Sequence, residues 1–262
     1  MLSILKYILY EGDKFMSKTI MLLGVYGMES VECGGVLAKN VKQGGKSIAS
    51  IMLTGERMRE NLKKSSEILG IEMSYTNFES FNVNCDLESK KKLVREIRKY
   101  KPDIIITQDP HGCIHDFDPD RRMAMILILE ALSLCGRDFD EESIAEFGKC
   151  KIPTVYYMFA HDNDTVVDIA DVWEEKNQAM QVLESQLEFS AKHYETYYGD
   201  ETMRKIVPNW DELDNYLDKG KAAQKQFDYA LYLSNGASHH GKIAFAEMYK
   251  KEGKYYVDNL MV

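Results

Sequence analysis

The sequence predicts an α/β fold: a Rossmann-like, mostly parallel sheet with helices on both faces. Two features carry that expectation. Short β-branched or apolar runs alternate with amphipathic stretches of helical length, the pattern of strand–crossover–strand units. Several of the runs, such as Thr19–Val25 and Asp103–Thr107, are apolar without alternation, as strands buried on both faces are.

Thr19–Val25 reads as the first strand, followed by a helix over Glu29–Gln43 that Gly44-Gly45 closes. Ser47–Thr54 is the second strand, Arg59–Leu69 a helix stopped by Gly70, and Glu72–Phe78 a weaker third strand. Asp86 is placed to cap a helix running through Lys99, and Lys101-Pro102 ends it before the fourth strand, Asp103–Thr107. A polar loop from Gln108 to about Asp118 precedes a long apolar helix through Leu134. Asp118-Pro119 has the signature of an N-cap followed by proline at the first helical position. Thr154–Ala160 is a fifth strand, and Asp171-x-x-Glu174 has the spacing of a capping box opening a helix through at least Leu187. Asn209–Leu233 is helical, and Ala244–Tyr249 is a last short strand.

The chain has 262 residues, a length that suits one large α/β domain. The expected division is an N-terminal extension over 1–16 and a single domain over 17–262. The extension is apolar but interrupted by Lys6, too short to span a bilayer and without the flanks of a signal peptide. With 33 Lys and Arg against 42 Asp and Glu, the formal charge is −9, which works against nucleic-acid or anionic-membrane partners. Five cysteines without CxxC spacing exclude a zinc ribbon and point to free thiols in a reducing, cytoplasmic setting.

In parallel sheets, ligands bind beyond the carboxyl ends of the strands, which directs attention to the loops beginning near Tyr26, Gly55, Gln108 and His161. Those regions carry an ordered series: Cys33-Gly34-Gly35, Leu53-Thr54-Gly55-Glu56, Leu69-Gly70 and Lys101-Pro102-Asp103. Thr107-Gln108-Asp109-Pro110-His111-Gly112, Asp118-Pro119-Asp120, Pro153-Thr154-Val155-Tyr156-Tyr157, Lys176 and Ser185-Gln186 follow, with a fainter echo at Ala246-Glu247. From about residue 19 to 190 the chain resembles the PIG-L/LmbE family of N-acetylglucosaminyl deacetylases.

The resemblance implies zinc-assisted amide hydrolysis, in which three protein ligands leave a position for an activated water. Yet the family's His-Pro-Asp-Asp-Glu loop falls on Val25-Tyr26-Gly27-Met28-Glu29. The zinc histidine becomes Val25, the general-base aspartate Gly27 and the second zinc ligand Met28. Only Glu29 survives. In the second segment the ligand histidine falls on Arg121, a fixed positive charge where a dication would sit. Zinc is therefore expected for the family but not for this chain.

The candidate substrate-binding residues are Glu29, Arg57, His111, His115, Asp118, Asp120 and Arg121. Glu29 is also suited to the first turn of a helix, and Arg57, with Arg59, to the solvated surface. His111 and His115, among Asp109, Asp116, Asp118 and Asp120, form the densest group of possible metal ligands, although helix capping accounts for such acids equally well. Arg121 beside Asp118 and Asp120 would form an ion pair in the vacated metal position. Cys113 beside His111 or His115 would be a nucleophile only with a lowered thiol pKa. Three functions remain open: a member that has lost zinc and binds a sugar or glycoconjugate, an active deacetylase with replacement ligands, or an interaction protein whose cleft is plugged by Tyr26 and Met28.

Overall fold

A computed structural model describes residues 18–239 and 242–254; the extension proposed over 1–16 lies outside them. The apolar runs form β1 (Thr19–Tyr26), β2 (Lys46–Leu53), β3 (Glu72–Tyr75), β4 (Ile104–Gln108) and β5 (Thr154–Met158). Two further strands, β6 (Thr165–Asp168) and β7 (Ala246–Lys251), complete a seven-stranded sheet in the order β3-β2-β1-β4-β5-β7-β6. Strands β1 to β5 pair in parallel, whereas β7 runs antiparallel to both β5 and β6. The order reverses between β1 and β4, so the carboxyl ends of those two strands, at Tyr26 and Gln108, flank the switch point where a ligand crevice opens.

Alternate residues of β1 face the two sides of the sheet, and each side has its own apolar layer. Met21, Leu23 and Val25 pack with Leu93, Val94 and Ile97 of α4 (Leu87–Tyr100) and Ala124, Leu127 and Ile128 of α6 (Pro119–Leu134). Ile20 and Leu22 face Leu37 of α2 (Gly34–Lys42), Leu62 of α3 (Glu56–Leu69) and Met180 of α8 (Trp173–Gln181).

Several elements differ from expectation. The helix expected over Glu29–Gln43 is two, α1 (Glu29–Glu32) and α2, because Cys33 leaves helical geometry at φ −99°. The loop after β4 contains a short turn of helix, α5 (Pro110–Cys113), and α7 (Glu141–Phe147) follows α6. Asp171 does not cap: a 3-10 turn over Ala170–Val172 leads into α8 with no side-chain cap. The helical stretch through Leu187 breaks at Leu183, where α9 (Glu184–Ile206) begins, itself kinked at Gly199 with φ 73°. The last long helix, α10 (Tyr216–Asn235), is capped by the Asn215 side chain accepting from Asp218 N at 2.9 Å. Among the described residues no helix is long and apolar enough to cross a membrane.

Candidate functional site

At the switch point, the turn after β1 is built around Glu29. Its carboxyl group folds back beneath the strand end and accepts from Val25 N at 2.9 Å, Tyr26 N at 3.2 Å and Gln108 Nε2 at 3.0 Å. Gln108 closes the other side by accepting from Cys113 Sγ at 3.3 Å. Three N–H donors favour the Glu29 carboxylate, but burial outweighs them and, with Glu32 nearby, pushes its pKa up to about 8. Burial thus favours the protonated form of Glu29, which joins the ends of β1 and β4.

The facing wall is the start of α6. Asp118 caps that helix through Oδ1, accepting from Asp120 N and Arg121 N, while Oδ2 accepts from the Tyr26 hydroxyl at 2.6 Å. Burial and the Asp118 carboxylate both raise the Tyr26 pKa, so the phenol stays protonated. The Arg121 guanidinium lies 5.3 Å from the Tyr26 ring centre and donates to Asp116 Oδ2 at 2.7 Å. Burial acts to raise the Asp116 pKa, but the backbone N–H of Asp118 and Arg121 outweigh it and hold the carboxyl below its usual range. Arg121 Nε is buried and has no acceptor among the described residues.

Between these walls lies a cleft of about 620 Å³. Tyr26, Met28, Glu29 and Glu32 line it from β1 and α1, Gln108 from β4, and Asp118 and Arg121 from α6. Gln186 and Phe189 reach it from α9, and Phe159 from the end of β5. Phe159 takes a left-handed backbone, φ 61°, unusual for a bulky side chain, and remains half exposed on the rim. Burial pushes the Glu32 carboxyl up to about 7 against the pull of Lys176. Tyr26 and Met28 thus line the cleft rather than plug it.

Of the seven candidate substrate-binding residues, Glu29, Asp118 and Arg121 come together here, while Arg57, His111, His115 and Asp120 lie outside the cleft lining. Arg57 is exposed and paired with Glu188 at 3.0 Å. His111 and His115 are exposed and line neither this cleft nor a metal-like cluster. Asp120 turns away and accepts from Phe81 N at 2.6 Å and Val83 N at 3.2 Å, pinning the loop before α4. The ion pair expected between Arg121 and Asp118 or Asp120 is instead with Asp116, because Asp118 is taken by Tyr26 and its own helix and Asp120 by the Phe81–Val83 loop. Burial pushes the Cys113 thiol up to about 12, the opposite of an activated nucleophile. Gln108, Phe159 and Phe189 are not among the candidates, and Tyr26 is expected there only as a plug of the cleft. Phe189 stands three positions after Gln186 on one helix, a spacing that places both on one face.

The donor set does not fit the zinc that the resemblance implies. Val25 is buried in the apolar core, and a Cβ on Gly27 would stand 3.0 Å from Leu62 Cδ1 and 3.2 Å from Met58 Cγ. Met28 offers a thioether and Arg121 a cation, neither suited to a hard or borderline dication. Among the described residues, no group of three or more His, Cys, Asp or Glu is arranged to hold a metal.

No family model matches the chain. Diacetylchitobiose deacetylase from Thermococcus kodakarensis is 34% identical over 133 residues, 50% of this chain and 49% of that protein. The chain thus spans about half the length of the curated relative it matches. N,N'-diacetylchitobiose deacetylase from Pyrococcus horikoshii superposes with a TM-score of 0.65 at 18% identity, covering 95% of this chain and 88% of that one. In fold, and in sequence over half its length, the chain resembles the PIG-L/LmbE-type deacetylases. It also shares its fold with the 4-carboxy-2-hydroxymuconate hydratase from Pseudomonas putida, with a TM-score of 0.62 at 18% identity over 93% of this chain and 99% of that one. The names of those two structures, a deacetylase and a hydratase, describe different reactions, so the fold alone does not select one.

Proposed function

We propose that this PIG-L/LmbE-like chain binds an N-acetylglucosamine-type sugar or glycoconjugate in the switch-point cleft without a metal. The observation that carries this reading is Arg121, held by Asp116 and by the Tyr26 ring in a cleft that stays open at about 620 Å³. The cleft combines what a sugar pocket needs: aromatic walls at Phe159 and Phe189, and a few convergent polar groups at Arg121, Asp118 and Gln186. Arg121 contributes its guanidinium to the cleft lining, and an acetamido or hydroxyl oxygen is the kind of acceptor such a donor recognises. The substrate named by the diacetylchitobiose deacetylase relative sets the sugar class to try first.

Calorimetric titration of the full chain with N-acetylglucosamine and with diacetylchitobiose, in EDTA and then in zinc, tests the reading. Binding that is unchanged by EDTA and weakened at least about tenfold in Arg121→Ala is expected, on the scale of a lost charged hydrogen bond. Failure of both sugars to bind would overturn it. Release of acetate on adding zinc would overturn it in favour of a metal-dependent deacetylase with replacement ligands.

A further inference from the structure

The opposite end of the sheet carries a second feature, independent of what the switch-point cleft binds. Strands β1, β4 and β5 are parallel, so their amino ends meet at one edge, and antiparallel β7 brings its carboxyl end to the same place. Each of these ends supplies lysine. Lys18 precedes β1, Lys101 precedes β4, Lys149 and Lys151 precede β5, and Lys251 closes β7 opposite Tyr156. All five line one concavity of about 450 Å³.

Among the described residues, the only carboxylate in that lining is Asp103, and it is already engaged, accepting from Thr19 N at 2.9 Å with Lys18 at 3.9 Å. Lys149 pairs outward with the exposed Asp138 at 2.6 Å. Among the described residues Lys101, Lys151 and Lys251 have no ion-pair partner. Lys101 also holds a left-handed backbone, φ 45°, at a helix end where glycine is the usual choice. Its ammonium lies 3.8 Å from where a Cβ on Gly148 would stand, beside the segment carrying Lys149 and Lys151.

A chain with a formal charge of −9 that gathers five ammonium groups against one engaged carboxylate is arranged to attract an anion locally. Lysine serves phosphate as a mobile point charge. The number of unpaired lysines, and a volume beyond what a single phosphate fills, favour an anion carrying more than one phosphate. We infer that the basic concavity at the amino edge of the sheet, built by Lys101, Lys151 and Lys251 with Lys18 and Lys149 at its sides, binds a soluble di- or triphosphate group.

Inorganic tripolyphosphate and pyrophosphate are the probes, titrated into the full chain at low ionic strength. One-to-one binding of tripolyphosphate is expected, weakening steeply as salt is raised. The triple variant Lys101→Gln/Lys151→Gln/Lys251→Gln should lose at least about tenfold in affinity, since most of the unpaired charge is gone. A control with the same charge change at exposed sites, Lys63→Gln/Lys64→Gln/Lys225→Gln, should stay within about threefold of the parent if the effect is local. No tripolyphosphate binding, or equal losses in the two variants, overturns the inference. So does co-sedimentation with phosphatidylserine-containing phosphatidylcholine vesicles by a chain that does not bind tripolyphosphate, which would make the patch a lipid-headgroup surface instead.

Discussion

The Tyr26 hydroxyl donates to Asp118 Oδ2 at 2.6 Å, fastening the end of β1 to the first turn of α6 across the mouth of the cleft. The other oxygen of the same carboxylate caps α6, so one side chain both starts the helix and holds the strand end to it. The resemblance places the family's zinc ligands in these two loops; here a phenol and a carboxylate link them instead. Tyr26→Phe removes the bridge and leaves the cap, and should cost about 0.5–1.5 kcal/mol. Asp118→Ala removes both, and its additional loss should be about 1 kcal/mol, the usual worth of an N-cap. Urea unfolding of both variants measures the difference. A Tyr26→Phe loss equal to or larger than that of Asp118→Ala would contradict the shared role.

Restoring the family's aspartate at position 27 should damage the protein rather than revive it. The new Cβ would meet Leu62 Cδ1 at 3.0 Å and Met58 Sδ at 3.2 Å, and the carboxylate would be thrust toward those apolar side chains. Gly27→Asp should therefore destabilise by about 1–3 kcal/mol from crowding alone. Its melting temperature is the readout, and a variant as stable as the parent would show room for the lost base.

Glu29 predicts how stability depends on pH. Its folded pKa, about 8, lies above the ordinary carboxylate value, so between those two limits the native chain holds a proton that the unfolded chain has released. Stability contributed by that proton is present at low pH and declines as pH rises, by about 1.4 kcal/mol per unit for a single group across the window. Glu32, raised to about 7, adds a slope of the same sign. Glu29→Gln keeps the neutral shape without the titration. Its stability relative to the parent should therefore rise from pH 5 to pH 8, read from urea unfolding at several pH values. A constant difference across that range would mean Glu29 is ionised throughout.

Much of this architecture was legible in the sequence because it rests on local signals. Uninterrupted apolar runs mark β1 and β4, a run broken only by serines marks β2 after Lys46, and Asp118-Pro119 marks the start of α6 as the structure has it. The two strands beyond β5 were harder. The run forming β6 is four residues long and was not anticipated, while β7 was expected as a short strand whose partners no local pattern announces. Met28 and Arg121 in the cleft, and Val25 and Gly27 beneath it, are identified by position against the family's motif. Asp116 as the partner of Arg121, and Gln108 as the bridge to Glu29, depend on how three loops face one another. His111 and His115 are the instructive failures: a dense run of His and Asp around a short helix turns its carboxylates inward as caps and its imidazoles outward.

Lys176 and Glu247, 71 residues apart in the chain, form a buried ion pair at 2.8 Å with both side chains almost fully enclosed. Glu247 also accepts from Gly35 N, Val36 N and the Tyr249 hydroxyl, and Lys176 donates to the carbonyls of Val31 and Glu32. The pair joins α8 and β7 to the start of α2 directly behind the cleft wall. Removing one partner leaves an uncompensated charge, so Glu247→Gln or Lys176→Met alone should cost about 3–5 kcal/mol, whereas the double variant Lys176→Met/Glu247→Gln should cost less than the two losses added. Chemical unfolding of the single and double variants decides, and additive losses would mean the two side chains are not coupled.

Cys150 should be the most reactive of the five cysteines toward a small alkylating reagent. The neighbouring Cys135 lowers its pKa most, burial opposes this, and the nearby Arg98 guanidinium adds to the lowering. Burial raises Cys33, Cys85 and Cys113 instead, and the neighbouring Cys150 together with burial raises Cys135. Cys150 also lines the lysine-rich concavity, which gives a small reagent a path to it. Since the thiolate is the nucleophile, iodoacetamide should label Cys150 first, with a rate that levels off at lower pH than an ordinary cysteine's. Cys135→Ser replaces the thiol that stabilises the anion, and should move that profile upward in pH. Peptide mass spectrometry after timed labelling from pH 6 to pH 9 gives both readings. Preferential labelling of Cys85, which is only half-buried, would show that access rather than thiolate stability governs reactivity here.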